Sequence, residues 1–420
     1  MIQTISLAPG VTLRCFPDKR FKQSCLSLQF LRNMRREEAA LNALLPAVLL
    51  RGSITAPDLR DITLRLDDLY GASVGALVRR IGDYQTTGLY CSFMEDRFAF
   101  SSDIILEPMI AFLQELLLQP ILENDRFRTD YVESEKRNLI SAIASQRNDK
   151  RAYANSQLMK HMCRADSFGI PRLGDIAQAE AVDANKLYHH YRQVLQTSPV
   201  ELFYVGSAAP EQVAELLKPL CQALAANAVP LPPQTPFQDA PGGAHTQTME
   251  ISQGRLCMGF VTPTTLRSAD FAAMQVCNSI FGGGMTSKLF MQIRERMSLC
   301  YDIGSGYHGS KGIVTVSAGI DFDKEDLVRE EILAQLDACR KGEISDDELL
   351  SAKQGIITQL QATHDSPGAI EGYYASGVLS GLNMTPEAYL QAVEAVTLPQ
   401  IMEAAQHLQL HTTYFLKGVQ

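Results

Sequence analysis

The sequence lacks an apolar run long enough to cross a bilayer. Its longest nearly unbroken apolar stretch covers residues 43–50, whereas a transmembrane helix needs about 20 such residues. The N-terminal residues also lack the basic segment and following apolar segment of about 7 to 15 residues that mark a secretory signal. We therefore expect a protein that does not span a membrane and is not exported through such a signal.

Cysteine pairs at metal-binding spacing are also missing. The chain has nine cysteines, an odd number, and no two of them form a CxxC motif. Such a set is typical of buried thiols in a reducing compartment, and it argues against a disulfide framework or a zinc ribbon. The composition therefore predicts a cytoplasmic protein.

The chain has no excess of basic residues either. Its formal net charge is −9, whereas nucleic-acid binding requires clustered lysine and arginine. The basic clusters at residues 32–36 and 79–80 are short, and we interpret them as solvated surface. The sequence predicts no nucleic-acid partner.

Motifs of two catalytic classes are absent. No GxSxG elbow of a serine hydrolase occurs. The segment FGGGMTSKLF does not satisfy the GxxxxGK[ST] pattern of a phosphate-binding loop. We interpret its glycines, Gly282, Gly283 and Gly284, as a flexible turn before a helix.

None of the eight histidines forms the arrangement of a zinc peptidase, which needs two histidines on one helical face and a carboxylate that activates water. His407 and His411 have helical spacing, but no glutamate lies between them, and a helix there is expected to give way to the terminal strand. His189 and His190 are adjacent, so their rings would point to different faces of a helix. The sequence predicts no metal site in this chain.

What the sequence does contain is a proline-rich segment between two flanks of comparable length. Residues 229–243 include five prolines and two glycines. Because proline stiffens an extended segment and removes backbone donors, this composition predicts a linker at 227–246. The predicted domains are then residues 1–226 and 247–420.

The two flanks repeat one order of elements. Each begins with strand-like alternation, continues with a helix, a glycine turn and a second helix, and then has two β-rich segments and long amphipathic helices. The predicted helices cover 37–50, 57–69, 108–118 and 125–145 in the first flank, and 269–281, 287–296, 324–341 and 345–363 in the second. This shared order indicates internal duplication. It favours an α+β fold class with two homologous domains, each a mixed, mostly antiparallel sheet with helices packed on one face.

The segment SKLFMQIRERMSLCYDIGSGY at residues 287–307 resembles the second-half signature of the pitrilysin/insulinase (M16) peptidases. In that family, Leu-Phe precedes an RExxxLxY core whose arginine and tyrosine contact the substrate carbonyl near the scissile bond. The resemblance implies that Arg294 and Tyr301 have this role here. A guanidinium and a phenol are both hydrogen-bond donors, and donors aimed at a developing oxyanion stabilise it. The glycines at 282–284 are a candidate for holding the peptide, with a purely structural turn as the alternative.

The first flank departs from the family pattern at each zinc position. Active members carry HxxEH and a later glutamate as the third ligand. The corresponding residues here are Ala43 and Ala47 for the histidines, Pro46 for the general base and Ala142 for the third ligand. A methyl group cannot hold Zn²⁺, and proline cannot activate water. The resemblance therefore implies a chain without a cofactor of its own.

This combination resembles the non-zinc subunits of heterodimeric M16 peptidases, including zinc-less members from bacteria. It implies a catalytic partner that carries HxxEH and zinc, and a peptide substrate that binds as an added strand along a sheet edge. One alternative is an inactive homodimer that binds peptides or serves as a scaffold, although a pure scaffold would not need Arg294 and Tyr301. Another is a free-standing hydrolase with an unusual metal site.

Overall fold

The computed structural model describes residues 2–100, 102–238 and 240–418. The strands are β1 (Gln3–Ala8), β2 (Val11–Pro17), β3 (Gln23–Asn33), β4 (Ser73–Ile81), β5 (Tyr84–Met94), β6 (Leu122–Glu123), β7 (Arg126–Phe127), β8 (Val200–Gly206), β9 (Gly243–Met249), β10 (Gly254–Val261), β11 (Cys300–His308), β12 (Ile313–Ile320) and β13 (Gln409–Gly418). The α-helices are α1 (Arg36–Leu49), α2 (Leu59–Asp68), α3 (Leu106–Leu118), α4 (Thr129–Ser145), α5 (Lys150–Met162), α6 (Ile176–Glu180), α7 (Ala184–Thr197), α8 (Pro210–Gln222), α9 (Phe271–Gly282), α10 (Glu325–Lys341), α11 (Asp346–Ala362), α12 (Pro367–Ser380), α13 (Pro386–Glu394) and α14 (Leu398–His407). A π-helix covers Leu289–Arg296, and short 3-10 helices cover Asp96–Phe98, Ser167–Gly169 and Phe322–Lys324.

The eight helices predicted from periodicity are confirmed, with ends that differ by a few residues. Seven of them are the α-helices α1 to α4 and α9 to α11. The eighth, predicted at 287–296, is the π-helix. None of the helices in the described part of the chain has the length and apolar character needed to span a bilayer.

The chain divides into two compact units. The first comprises Met1–Ala144, Ile170–Pro233 and His364–Ser376, and the second comprises Ser145–Gly169, Gln234–Thr363 and Gly377–Gln420. One crossing between them, from Pro233 to Gln234, falls within the predicted linker. The predicted domain boundaries, 1–226, 227–246 and 247–420, rest on the internal duplication and stay a prediction. Asp239 of the predicted linker lies outside the described residues.

Two segments belong to the unit that is built mainly from the other half of the chain. In the second unit, Ala154 and Leu158 of α5 are buried against Cys257 of β10 and Leu416 of β13. In the first unit, Ile370 of α12 is buried in an apolar cluster on β3 and β8. The order of elements along the chain did not predict that α5 and α12 join the other unit, because the apolar pattern of a helix does not identify the sheet that buries it.

The main sheets of the two units share one topology over five strands. The first has the strand order β1-β2-β8-β3-β5-β4, and the second has the order β11-β12-β10-β13-β9. Each sheet has one parallel pair, β2 with β8 and β9 with β13, and its other pairs are antiparallel. When the second order is reversed, its five strands match β2, β8, β3, β5 and β4 in position. The predicted fold class, α+β with two mixed and mostly antiparallel sheets, is confirmed.

Strand β3 shows how alternation builds the first unit. Leu26 and Leu28 face the core that α1 and α3 cover, and both are fully buried. Ser27 and Gln29 point to the opposite face, where both donate hydrogen bonds to Glu371 of α12. Both faces of this strand are therefore covered, one by an apolar layer and the other by a polar one.

Candidate functional site

Arg294 lies on the π-helix near its C-terminal end. The wider turn is closed by a hydrogen bond from the Met297 amide to the Gln292 carbonyl, at 3.0 Å. Such a turn contains one residue more than an α-helical turn. The side chains after it therefore point in directions different from those of a regular α-helix. Ile293 is fully buried, and Arg294 beside it keeps 41% of its side chain exposed.

Two weak contacts from described residues hold the Arg294 guanidinium. Its carbon lies over the Phe290 ring, 4.6 Å from the centroid, which is within the range of a cation–π contact. Its ion pair with Glu295 spans 3.7 Å, and half of the Glu295 side chain is exposed. Exposed pairs of this kind contribute about 0 to 1 kcal/mol, so an incoming acceptor meets little competition for the guanidinium.

A left-handed turn at Ser298 connects the π-helix to β11. Ser298 has φ of 51°, and the amide of Leu299 donates to the carbonyl of Ile293 at 2.9 Å. This is the helix-ending pattern that glycine usually supplies, because a side chain in left-handed backbone costs about 1 kcal/mol. The tight turn starts β11 directly after the helix that carries Arg294.

Tyr301 projects from a β-bulge at the start of β11. Cys300 pairs with Ile320 and Asp302 pairs with Gly319, so Tyr301 has no partner on β12. An extra residue in one strand redirects its side chain away from the regular alternation. As a result, Tyr301 is 59% exposed.

Arg294 and Tyr301 open into one pocket within the second unit. Its volume is about 380 Å³, and it is lined by Arg294, Glu295, Ser298, Leu299, Cys300, Tyr301, Asp321 and Lys324. The structure therefore brings the two predicted donors to the same cavity. One extra residue in the helix and one in the strand produce this arrangement.

Asp321 and Lys324 complete the pocket, and no sequence motif predicted them. The Tyr301 hydroxyl donates to Asp321 Oδ1 at 2.9 Å, and Lys324 Nζ lies 2.8 Å from Asp321 Oδ2. The hydrogen bond to the carboxylate raises the pKa of Tyr301. The contacts with Lys324 and then Tyr301 lower the pKa of Asp321. The phenol is therefore protonated near neutral pH and can act as a donor.

The three glycines at 282–284 have different surroundings. A Cβ on Gly282 would lie 2.7 Å from Ser305 Oγ, and one on Gly283 would lie 2.7 Å from Ser279 Cα. A Cβ on Gly284 would meet no atom within 4 Å. Close packing therefore accounts for the first two glycines, and the predicted role of all three in binding substrate stays a prediction.

The residues at the predicted zinc positions do not fit a metal ion. Ala43, Pro46 and Ala47 lie on α1, where Ala43 and Pro46 are buried, and Ala142 lies on α4. Among residues 2–100, 102–238 and 240–418, no group of three or more His, Cys, Asp or Glu side chains is placed to hold a metal. His407 ends α14 and His411 lies in β13, so this pair does not share a helical face.

Pro46 lies in the interior of α1, and the fold compensates for it. Proline has no N–H, so the carbonyl of Asn42, four residues earlier, loses its helical partner. The hydroxyl of Thr87 on β5 donates to that carbonyl at 2.7 Å. The residue at the position of the general base is thus built into the core of the first unit.

The Asn42 side chain lies in a buried polar network beside Pro46. Its amide nitrogen donates to Gln85 Oε1 at 2.8 Å, so its oxygen accepts from His190 Nε2 at 2.7 Å. The Gln85 nitrogen donates to the carbonyls of Ala39 and Arg172. Burial lowers the pKa of His190 to about 3. His190 is therefore a neutral core residue.

Comparisons with known proteins agree with the motif at 287–307. Residues 181–356 match the family model described as the Peptidase M16 inactive domain. The chain is 28% identical over 411 residues to the "Probable inactive metalloprotease YmfF" of Bacillus subtilis (strain 168), covering 98% of this chain and 96% of that protein. The structure of a conserved protein from Enterococcus faecalis V583 matches with a TM-score of 0.92 and 26% identity, covering 100% of this chain and 99% of that one.

A second solved structure shows the same fold at lower identity. It is the peptidase M16 inactive domain from Pseudomonas fluorescens, with a TM-score of 0.83 and 18% identity, covering 100% of this chain and 98% of that one. The resemblance to M16 proteins that the sequence motif indicated is confirmed.

Proposed function

We propose that this chain, which is similar to M16 proteins and matches the inactive-domain model over residues 181–356, is the non-zinc subunit of a two-subunit peptidase. In this proposal Arg294 and Tyr301 bind the substrate carbonyl during peptide hydrolysis. A catalytic partner with an HxxEH motif supplies the zinc ion and the general base. The complex acts in the cytoplasm, which the nine buried free thiols support.

The observation that carries the proposal is the shared pocket of Arg294 and Tyr301. Both side chains are donors, both are substantially exposed, and both face the same cavity. A charged donor and a neutral donor on one side of a carbonyl stabilise the negative charge that develops when water attacks it. The loss of one such donor typically lowers turnover about 100- to 1,000-fold.

The position of β11 supports a peptide bound as an added strand. This strand lies at one edge of its sheet, and Tyr301 lies at its start. Main-chain hydrogen bonds to an edge strand give affinity with little demand on side chains. Such binding suits substrates that are unstructured and varied in sequence.

Reconstitution tests the proposal. The full chain, a neighbouring HxxEH homologue from the same genome, and their mixture are assayed for bound zinc and for cleavage of an unstructured peptide. We expect zinc in the homologue and in the mixture, with robust cleavage only in the mixture.

Three other outcomes would contradict the proposal. Peptide binding by the isolated chain, with no gain in cleavage on mixing, would favour an inactive peptide-binding homodimer. Neither binding nor a gain would favour a scaffold. Zinc retention with cleavage by the isolated chain would indicate a free-standing hydrolase.

A further inference from the structure

The phenolic proton of Tyr301 is already engaged in the chain by itself. A tyrosine hydroxyl has one proton to donate, and here it goes to Asp321 Oδ1 at 2.9 Å. Asp321 follows β12 directly and begins the turn into the 3-10 helix Phe322–Lys324. A peptide carbonyl that enters the pocket must therefore displace Asp321 from Tyr301, or forgo this donor.

The strength of that competition depends on charge. Hydrogen bonds to a carboxylate are roughly twice as strong as those between neutral groups, so a neutral peptide carbonyl is the weaker acceptor for Tyr301. An oxyanion carries a full negative charge and competes on equal terms. Lys324 Nζ forms an ion pair with the same carboxylate, 2.8 Å from Asp321 Oδ2. This ion pair weakens the hydrogen bond that the carboxylate accepts from the phenol.

We propose that Asp321 is a resting acceptor that competes with the substrate for the Tyr301 hydroxyl, and that Lys324 limits the strength of this competition. The inference rests on the proposed role of Tyr301 as a donor to the substrate carbonyl. Its consequence is a cost in substrate binding, because the phenol must leave Asp321 before it can bond the peptide carbonyl. That cost is the same for the bound substrate and for the transition state, so it appears in KM and not in kcat.

Steady-state kinetics of the mixed complex test this idea, with Asp321→Asn as the main variant. Asparagine keeps the shape of the side chain but is a neutral acceptor, so it competes less strongly with the bound peptide for the phenol. We expect KM to fall about three- to tenfold, the effect of one ordinary hydrogen bond, without a decrease in kcat. Lys324→Met, which leaves Asp321 without its cation, should raise KM.

Asp323→Asn is the matched control. Asp323 is exposed in the same turn, so its removal changes the net charge equally without touching Tyr301. If Asp321→Asn and Asp323→Asn give the same KM, the inference is wrong. A lower kcat in Asp321→Asn at unchanged KM would also overturn it, because Asp321 would then hold the phenol in its productive orientation.

A second readout needs no partner. In the isolated full chain, the Tyr301 ring carbon that bears oxygen is assigned by NMR from its loss in Tyr301→Phe and followed through a pH titration. Asp321→Asn should lower the pKa of Tyr301, because Asp321 is the main cause of its elevation, and Asp323→Asn should not. An unchanged pKa in Asp321→Asn would refute the contact itself. A normal turnover in Tyr301→Phe would refute the proposed function and leave this titration unaffected.

Discussion

The polar side chains around helix α1 and those in the pocket at Arg294 differ in burial and in hydrogen bonding. Around α1, Asn42 and His190 are buried and hydrogen-bonded to each other, and Asn42 also donates to Gln85. In the pocket, Arg294 and Tyr301 are exposed and held by weak or replaceable partners. The first region uses its polar groups to specify the fold, and the second keeps them available to a ligand. Changes in α1 should therefore alter stability, and changes in the pocket should alter turnover.

A large loss of turnover is predicted for Tyr301→Phe in the mixed complex. Removing the phenolic donor should lower kcat about 100-fold, while the thermal midpoint changes little because the side chain is exposed. Tyr131→Phe is the control, since the Tyr131 hydroxyl donates to the Pro57 carbonyl at 2.9 Å in the first unit. Equal kcat in the two variants would remove the contrast between the regions.

Asn42→Leu should have the opposite profile. It leaves Gln85 Oε1 and His190 Nε2 without partners in the core, so the free energy of unfolding should fall by about 3 kcal/mol. Urea denaturation measures this loss, and turnover per folded complex should stay normal. Asn138→Leu, at an exposed site on α4, should cost far less. A stable Asn42→Leu protein with poor turnover would place α1 in the catalytic site.

The stability of the chain should also fall in mild acid because of His190. The pKa of His190 is about 3 in the fold, against 6.5 for an ordinary histidine. The unfolded chain therefore gains a proton below pH 6.5 that the folded chain does not gain until near pH 3. The stabilisation is complete above pH 6.5 and declines as the pH falls. We expect a loss of roughly 2 kcal/mol between pH 7.5 and pH 5, measured as the difference between the parent chain and His190→Gln.

The smallest predicted effect concerns Thr87 and Pro46. Thr87→Val removes the donor to the Asn42 carbonyl and should cost about 1 kcal/mol. In a Pro46→Ala background the amide of residue 46 can serve that carbonyl, so the same change should cost less. A double-mutant cycle by urea denaturation measures the coupling. No coupling would show that Thr87 does not compensate for the proline.

Much of the fold could be predicted from the sequence, because it depends on patterns along the chain. Amphipathic periodicity located α1 to α4, α9 to α11 and the π-helix, and the repeated order indicated two similar sheets. The destination of α5 and α12 could not be predicted, since an apolar helical face fits either sheet. The partner of Thr87 is a long-range contact of the same kind.

For the candidate site, the sequence predicted which residues take part but not how they are arranged in space. The motif named Arg294 and Tyr301, but regular helix and strand periods would not have placed them at one cavity. The π-helical turn and the β-bulge that do so are stabilised by tertiary packing and leave no simple mark in the sequence. Asp321 lies 20 residues after Tyr301 and meets it only because β11 and β12 are paired.

The central claim is that this chain supplies hydrogen-bond donors to an active site whose zinc lies on a partner. Its most direct test is the turnover of a mixed complex that carries Arg294→Ala. Arg296→Ala is the matched control, because Arg296 is an exposed arginine on the same helix whose side chain bonds Gln292. Our account predicts that Arg294→Ala lowers kcat about 100- to 1,000-fold, with assembly and zinc content unchanged, and that Arg296→Ala retains normal turnover. Normal kcat in the Arg294→Ala complex would contradict the account.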